Sequence, residues 1–336
     1  MREQGYGTDE DVMKVEEIAG VRKEIVKEIE KVIVGQKNVI ELLLISMLSS
    51  GHSLFVGVPG LAKTLLVSTL SEVLNLKFNR VQFTPDLMPS DITGSEVLEN
   101  NGTTGNRFFK FIRGPIFCNI LLADEINRSS PKTQAALLQA MQEKRITVGG
   151  ETYGLDPPFL VFATQNPIEQ EGTYPLPEAE LDRFMFQIDV DYPSLNEEVE
   201  IARTTTSAYE PEVNKVIDGS KILEYQNLIH RVPVSERVAS YAVKIARATR
   251  PHDSNRHEFV NKSVSWGVGP RASQFLIMGS KARAILDGRF TPTTDDVNTI
   301  APSILKHRIV LNFRALAEGI KSIDVIREIL DKTVIT

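Results

Sequence analysis

The pattern of hydrophobic positions divides the chain near residue 193. Before this point, short apolar runs alternate with stretches in which apolar residues recur at helical spacing. The runs are Leu54–Val56, Phe78–Thr84, Cys118–Ala123, Phe159–Thr164 and Phe184–Val190. Runs of this kind are typical of strands that are buried on both faces of a parallel sheet. The first part of the chain is therefore predicted to be an α/β domain, with a five-stranded parallel sheet flanked by helices.

Two helices are predicted before the first strand. Residues 1–10 are polar and glycine-rich, as in a mobile N-terminal tail. Apolar residues then recur at helical spacing over 11–32 and over 37–49, with a break at Ile33–Gln36. The α/β domain is accordingly assigned to residues 11–193.

Two β-hairpins are predicted inside this domain. In the first, Gly94–Leu98 and Asn106–Ile112 flank the polar turn Asn100–Gly105. In the second, Arg145–Tyr153 reverses direction at its glycine pair. Both hairpins lie between predicted strands of the sheet, so we expect them to be insertions into the domain.

Helical patterns dominate residues 194–336. Ser194 and Glu197 have the spacing of a capping box. Helices are predicted over 195–207, 220–230, 235–250, 271–287 and 294–307. The one candidate strand is Arg308–Phe313. The long connection Pro251–Gly269 is expected to be a mobile flap, with Trp266 anchoring it onto the helices rather than contacting a ligand.

The composition narrows the function classes. Of the 336 residues, 42% are hydrophobic and 24% are charged, which is ordinary for a soluble globular protein. The net charge of −6 argues against a chain that binds nucleic acid along its whole length, but leaves a local basic loop open. The single cysteine, Cys118, excludes an intramolecular disulfide and a cysteine-rich metal site. There is no signal-peptide core and no apolar stretch long enough to cross a bilayer, so a cytoplasmic protein is expected.

The stretch Gly51–Thr64 has the order strand, glycine-containing loop, helix. Its glycines allow successive backbone N–H groups to turn inward on an anion, and the helix adds its positive N-terminal end. Lys63 is placed to reach the β- and γ-phosphates of a nucleotide, and the Thr64 hydroxyl is placed to ligate Mg²⁺. Ala62 stands where the phosphate-loop pattern has glycine. The alternative is a glycine turn before an ordinary helix.

Two acidic residues, Asp124 and Glu125, follow the apolar run that begins at Cys118. Because ligands of open α/β sheets bind at the carboxyl ends of the strands, both carboxylates are expected beside the ligand. Asp124 can hold Mg²⁺ through its water shell, and Glu125 can orient and polarise an attacking water. An exposed acidic turn is the alternative, and the phosphate loop sixty residues earlier argues against it.

Three further residues are candidates for nucleotide chemistry. Asn166 ends the next buried strand and can hydrogen-bond a γ-phosphate or the attacking water, or it can simply form a turn before Pro167. Arg183 can reach the γ-phosphate in a neighbouring subunit, or it can pair with Asp182 or another surface acid. Arg271 begins a helix of the second domain and can touch the phosphates, or it can be a solvated first-turn residue.

Three longer stretches resemble the MoxR family of AAA+ ATPases, in the helix-2-insert clade. They are Gly-Val-Pro-Gly-Leu-Ala-Lys-Thr from residue 57, Leu-Leu-Ala-Asp-Glu-Ile-Asn-Arg-Ser-Ser-Pro-Lys-Thr-Gln-Ala-Ala-Leu-Leu-Gln-Ala-Met from residue 121, and Ala-Thr-Gln-Asn-Pro-Ile-Glu-Gln-Glu-Gly-Thr-Tyr-Pro-Leu-Pro-Glu-Ala-Glu-Leu-Asp-Arg-Phe from residue 163. The similarity covers about residues 15–330. An alanine at position 62 is usual in that family.

The resemblance implies a P-loop AAA+ core followed by an all-α lid domain, with ATP and Mg²⁺ as cofactors. The implied nucleotide-binding residues are Val34, Gly35 and Gln36 at the adenine, Gly57, Val58, Pro59, Gly60, Leu61, Ala62, Lys63, Thr64 and Leu65 at the phosphates, and Asp124, with Thr64 and Asp124 at the metal. The implied catalytic residues are Lys63 of Walker A, Glu125 of Walker B, Asn166 as sensor 1, Arg183 as the arginine finger and Arg271 as sensor 2. Residues 85–113 match the helix-2 insert, and 145–156 match the hairpin before sensor 1.

The resemblance also implies a homo-oligomeric ring, usually a hexamer, with Arg183 completing the site of the next subunit. Whether Arg271 acts in its own or in the neighbouring site stays open. Arg128 either faces the subunit interface or forms a structural salt bridge. The implied function is a chaperone-like remodeller or activator of client complexes, working with a von Willebrand factor A-domain partner.

Three other functions remain as alternatives: a nucleic-acid motor of the same clade, a metal-chelatase-type ATPase subunit, and a non-catalytic nucleotide switch. The basic and aromatic segment 106–113 is expected to pack on the core or in the ring, rather than to contact substrate in a pore or nucleic acid. His252 and His257 have no acidic or cysteine residues in a ligand pattern around them, so a metal site is not expected there.

Overall fold

The computed structural model describes residues 9–100, 107–168, 172–207, 211–251 and 258–333. Residues 1–8 of the predicted tail, residues 101–105 of the predicted turn, and the pair His252 and His257 lie outside these ranges.

Strands and helices alternate in the first half of the chain, and helices dominate the second half. The strands are β1 (Ser53–Val56), β2 (Phe78–Gln82), β3 (Gly94–Asn100), β4 (Arg107–Arg113), β5 (Ile120–Asp124), β6 (Arg145–Val148), β7 (Glu151–Gly154), β8 (Leu160–Gln165), β9 (Phe186–Asp189), β10 (Val264–Trp266) and β11 (Val310–Leu311). The helices are α1 (Asp9–Ile29), α2 (Lys37–Leu48), α3 (Lys63–Val73), α4 (Pro89–Thr93), α5 (Pro131–Glu143), α6 (Glu178–Leu181), α7 (Leu195–Thr205), α8 (Gly219–Arg231), α9 (Glu236–Ala248), α10 (Glu258–Ser263), α11 (Pro270–Leu286), α12 (Thr294–Leu305), α13 (Phe313–Ala317) and α14 (Ser322–Lys332). Within the part of the chain that the structure describes, no helix combines the length and the apolar composition needed to cross a membrane.

The central sheet confirms the predicted fold class. Five parallel strands lie in the order β2-β5-β8-β1-β9. Successive side chains of a strand point to opposite faces, and each face has its own apolar cluster. Leu122 packs with Phe55 in one cluster, and Leu121 packs with Leu54 in the other. The apolar runs predicted these strands because both faces of the sheet are buried.

One of the two clusters continues from the sheet into the helical half. Ile285 of α11 and Ile300 of α12 belong to the same buried cluster as Phe55. Helix α11 also packs against α1 and α2, and a Cβ added at its Gly279 would lie 2.8 Å from Ile300 and 3.0 Å from the Met185 side chain. Continuous apolar packing therefore sets the position of the helical half relative to the sheet.

The segment predicted as the flap Pro251–Gly269 contains regular structure. Its described part forms α10 and β10, and β10 pairs with β11, which lies within the predicted strand Arg308–Phe313. Val264 is buried, but the indole of Trp266 is 73% exposed. The expectation that Trp266 anchors the segment is therefore wrong. The pairing register shifts between Val264 and Trp266, and such an irregularity turns a side chain away from its expected face.

The two predicted hairpins are present as β3–β4 and β6–β7, and they contact each other. The ring of Phe111 stacks on Tyr153 with 4.3 Å between ring centroids. Packing on the core is confirmed for Phe111. Phe109 is 69% exposed because it lies nearer the hairpin tip, beyond the contact with the second hairpin, so it does not pack on the core, and its packing in the ring stays a prediction.

Buried His52 ties the start of β1 to β8. Its Nδ1 accepts a hydrogen bond from the Val161 N–H (2.9 Å), so Nε2 carries the proton and faces the Met141 carbonyl at 3.3 Å. Burial lowers the pKa of His52 to about 4. The folded chain thus keeps the imidazole neutral at pH values where the unfolded chain protonates it.

We expect the stability contributed by neutral His52 to be present above pH 6.5 and to decrease as the pH falls towards 4, by about 3 kcal/mol in total. The variant His52→Gln should be less stable at pH 7.5, with a shallower loss of stability between pH 7 and 5. Urea midpoints over this range measure both effects. The exposed His230→Gln is the control and should keep the wild-type slope, and an unchanged slope in His52→Gln would contradict the assignment.

Candidate nucleotide site

The loop between β1 and α3 has the backbone conformation of a phosphate loop. Gly60 and Ala62 adopt left-handed conformations, with φ of 85° and 55°. A Cβ at Gly57 would lie 2.5 Å from the Val190 carbonyl oxygen, so this position requires glycine. Ala62 adopts its conformation at a cost of about 1 kcal/mol, which explains why the usual pattern has glycine there.

The Lys63 ammonium lies within the curve of this loop. Its Nζ donates to the carbonyl oxygens of Gly57 (2.5 Å) and Val58 (2.8 Å). Burial lowers the pKa of Lys63, and the charges of Asp124 and Glu125 oppose that shift. Lysine and carboxylates are therefore close enough to interact at the carboxyl edge of the sheet, as the sequence predicted.

The Asp124 carboxylate is held on both oxygens. Its Oδ1 accepts from the Thr164 hydroxyl at 2.6 Å, and its Oδ2 accepts from Arg80 Nε at 3.0 Å and Nη2 at 2.6 Å. The Thr164 hydroxyl also accepts from the Glu125 N–H at 2.8 Å. Thr164 of β8 thus aligns the end of β5, and Arg80 of β2 neutralises Asp124.

Glu125 has a left-handed backbone, with φ of 56°, and its carboxylate has two partners. Oε2 accepts from Gln82 Nε2 at 2.7 Å and from Arg128 Nη1 at 3.0 Å. Of the two expectations for Arg128, the structure shows the salt bridge. Two donors therefore orient the Glu125 carboxylate through a single oxygen.

Asn166 is buried directly after β8 and is 7% exposed. Its Oδ1 accepts from the Ile168 N–H at 3.1 Å, which is the turn-forming geometry that the sequence left as an alternative. Its Nδ2 makes no hydrogen bond to the described residues and is thus available to a ligand.

A cavity of about 350 Å³ adjoins the phosphate loop. Its lining includes the sequence-predicted residues Val34, Gln36, Pro59, Gly60, Leu61, Ala62 and Leu65. Gln36 Nε2 donates to the Leu61 carbonyl at 3.2 Å, which ties the segment before α2 to the loop. A Cβ at Gly35 would lie 2.1 Å from the Glu197 carboxylate, so α7 approaches this segment closely. The volume is in the range of nucleotide and drug-sized pockets.

Several residues of the site were missed from the sequence, among them Arg80, Gln82, Thr164, Tyr192 and Ile201. The register between β2 and β5 pairs Gln82 with Asp124, and strand order is not visible in a sequence pattern. Tyr192 and Ile201 line the cavity from the connection after β9 and from α7. The one available signal was Thr164, a polar residue at the end of an otherwise apolar strand.

Arg183 and Arg271 lie at the other edge of the sheet. Strands β1 and β9 are parallel from Ser53↔Phe186 to Val56↔Asp189, and Arg183 precedes β9 whereas the phosphate loop follows β1. At about 3.3 Å per residue, the backbone of Arg183 lies about 20 Å from the loop. Arg271 Nη1 donates to Asp182 Oδ2 at 3.0 Å, so it lies at the same edge as Arg183.

Comparison with known proteins agrees with this geometry. Residues 52–186 match the ATPase family associated with various cellular activities (AAA), and residues 256–329 match the AAA lid domain. Chaperone MoxR1 of Mycobacterium tuberculosis is 42% identical over 90% of this chain and 79% of its own length. The uncharacterised protein YeaC of Bacillus subtilis is also 42% identical, over 91% of this chain and 92% of its own.

A solved structure gives the same result. A protein of Cytophaga hutchinsonii that was assigned as an ATPase is 44% identical to this chain, with a TM-score of 0.89, and the match covers 96% of this chain and 97% of that one. Sequence similarity, the five-stranded sheet and the lid therefore agree over nearly the full length. The chain belongs to the MoxR family of AAA ATPases.

Proposed function

We propose that this protein hydrolyses ATP as a ring of identical subunits and uses the energy to remodel partner proteins. The observation that carries the proposal is the separation of two sets of residues in one chain. The phosphate loop and the carboxylates lie at the carboxyl edge of the sheet, and the two candidate arginines lie about 20 Å away at the amino edge. This separation supports a site whose arginines come from a second copy of the chain.

Within one subunit, the residues at the carboxyl edge fit Mg²⁺-nucleotide. Thr64 and Asp124 offer the oxygen ligands that Mg²⁺ prefers, and a bound Mg²⁺ would neutralise phosphate charge. Lys63 adds its positive charge at the phosphates. The supporting observation is the pair of hydrogen bonds that hold Lys63 inside the loop.

Glu125 is proposed to orient the attacking water, and Asn166 to donate its free Nδ2 to the γ-phosphate or to that water. Gln82 and Arg128 hold the Glu125 carboxylate in place. Since phosphoryl transfer depends mainly on positioning and charge stabilisation, no covalent intermediate is needed.

Arg183 is proposed to complete the nucleotide site of the next subunit. Its guanidinium makes no hydrogen bond or ion pair with the described residues, so it is available to a partner. Arg271 shares this edge of the sheet through Asp182, which favours action on the neighbouring nucleotide over action on its own. The ring is proposed to be a hexamer, by analogy with the family.

A protein client is favoured by the surface of the β3–β4 hairpin. Val97, Leu98, Phe109 and Ile112 are each between 44% and 69% exposed. Exposed apolar groups concentrated on one element are typical of protein-interaction surfaces. The name chaperone, carried by the relative from M. tuberculosis, agrees with this proposal. A von Willebrand factor A-domain protein is the proposed partner, on the basis of the family resemblance.

The variant Arg80→Gln tests the metal assignment without measuring turnover. Removing the guanidinium from Asp124 Oδ2 removes a competitor for the cation. Because Arg80 is 48% exposed, we expect the Mg²⁺ concentration for half-maximal nucleotide binding to fall only about threefold. Titration with a fluorescent ATP analogue measures this value. The exposed Arg145→Gln is the matched control, and a rise in the required Mg²⁺ would contradict the role of Asp124.

The variant Glu125→Gln should still bind ATP, since Lys63 and the loop are unchanged, but its kcat should fall at least about 100-fold. Phosphate release and nucleotide affinity are measured separately. Glu143→Gln, an exposed acid at the end of α5, should keep wild-type turnover. Normal turnover in Glu125→Gln would remove Glu125 from the mechanism.

The variant Arg183→Ala should lose about 1,000-fold in kcat and keep its nucleotide affinity, as expected of an arginine finger. When Arg183→Ala subunits are mixed with Lys63→Ala subunits, activity should return, because some interfaces then join an intact phosphate loop to an intact arginine. Equal hydrolysis by the dilute monomer would show that the site is not shared.

A further inference from the structure

Arg308 is a buried cation outside the residues so far assigned to the nucleotide site. It follows α12 in the lid, and its side chain is 2% exposed. Burial lowers the pKa of Arg308 to about 10, so it is charged at neutral pH. A buried charge is unfavourable unless it is paired and all its donors are used, so the arrangement of its partners is informative.

The Arg308 guanidinium hydrogen-bonds to the residues on both sides of Arg183, and we refer to this arrangement as the clamp. Its Nε donates to Asp182 Oδ1 at 2.8 Å, and its Nη2 donates to the carbonyl oxygens of Asp182 (2.9 Å) and Phe184. Its Nη1 donates to the Met185 carbonyl at 3.3 Å. The residues immediately before and after Arg183 are therefore fixed by one side chain of the lid.

The same segment is held from a second lid element. Asp182 accepts from Arg308 through Oδ1 and from Arg271 through Oδ2, at 3.0 Å. The ring of Phe275 in α11 lies 5.1 Å from the Arg308 guanidinium carbon and covers it. In contrast, the Arg183 guanidinium has no such partner among the described residues. The Arg183 side chain is half-buried and its charge acts on Glu180, but its backbone is held on both sides by hydrogen bonds from the lid.

We propose that Arg308 is a positioning residue, which sets the backbone of Arg183 so that its guanidinium reaches the nucleotide of the neighbouring subunit. The proposal rests on the proposed role of Arg183 in a shared site. Through Arg308, the placement of the lid in one subunit determines catalysis in the next. Displacements of about 1 Å in a positioned group can reduce a rate about 100-fold, so the clamp affects the rate even where the fold is kept.

The variant Arg308→Lys keeps the charge but replaces the planar fork with a single ammonium, which cannot contact the carbonyl groups on both sides of Arg183. We expect kcat to fall about 100-fold, while nucleotide affinity stays within twofold because the subunit's own phosphate loop is at the other sheet edge.

The lid offers a matched control. Asp296 is fully buried and joins Arg283 (2.5 Å) and Arg289 (2.6 Å), as Asp182 joins Arg271 and Arg308. The variant Asp296→Asn should lower the melting temperature and keep kcat within twofold below the transition. If Asp296→Asn reduces kcat as much as Arg308→Lys does, Arg308 acts through stability alone and the proposal is wrong.

Mixed rings separate positioning from a general defect. Arg308→Lys subunits have an intact phosphate loop, and Lys63→Ala subunits have an intact Arg183 clamp. Mixing them should raise activity above that of either variant, with mixed rings verified by native mass spectrometry. Asp182→Asn, which weakens the clamp from the core side, is the second variant if Arg308→Lys does not fold.

Two negative results have different meanings. If Arg183→Ala regains activity with Lys63→Ala but Arg308→Lys and Asp182→Asn do not, the positioning role of Arg308 is wrong. If none of these pairs regains activity, the shared site itself is wrong.

Discussion

The parallel pairing of β1 with β9 is the constraint on which the site depends. Parallel strands have the same direction, so the loop after β1 and the turn before β9 lie at opposite edges of the sheet. The phosphate loop is at one edge and Arg183 is at the other, about 20 Å away. No side-chain rotation closes such a gap. A single subunit therefore contains both parts of the proposed site, but too far apart to act on one nucleotide.

The lid also fixes the position of the backbone around Arg183. Its helices share an apolar cluster with the sheet, and its buried Arg308 binds the backbone around Arg183. Apolar packing is non-directional and sets the overall position of the lid. The Arg308 guanidinium adds directional hydrogen bonds, because each of its N–H groups requires an acceptor in a particular place. The lid thus fixes one turn of the core more precisely than packing alone would.

Much of the fold was predictable from the sequence, because both faces of the sheet are buried and each strand is a visible apolar run. The phosphate loop and Asp124–Glu125 were predictable for a related reason, since these residues are contiguous in the chain. Arg80 and Thr164 were not, because they reach Asp124 only across neighbouring strands. The exposure of Trp266 depends on a register shift, which leaves no trace in the pattern of residues.

Arg308 shows most clearly which kind of residue cannot be predicted from the sequence. In the sequence it is the first residue of a candidate strand, and basic residues are usually solvated. Its burial arises from contacts with residues more than 120 positions earlier, and those contacts involve carbonyl oxygens that every residue has. A pattern of side chains cannot reveal a side chain most of whose partners are backbone atoms. Residues that position catalytic groups through the backbone are therefore found only when the fold is known.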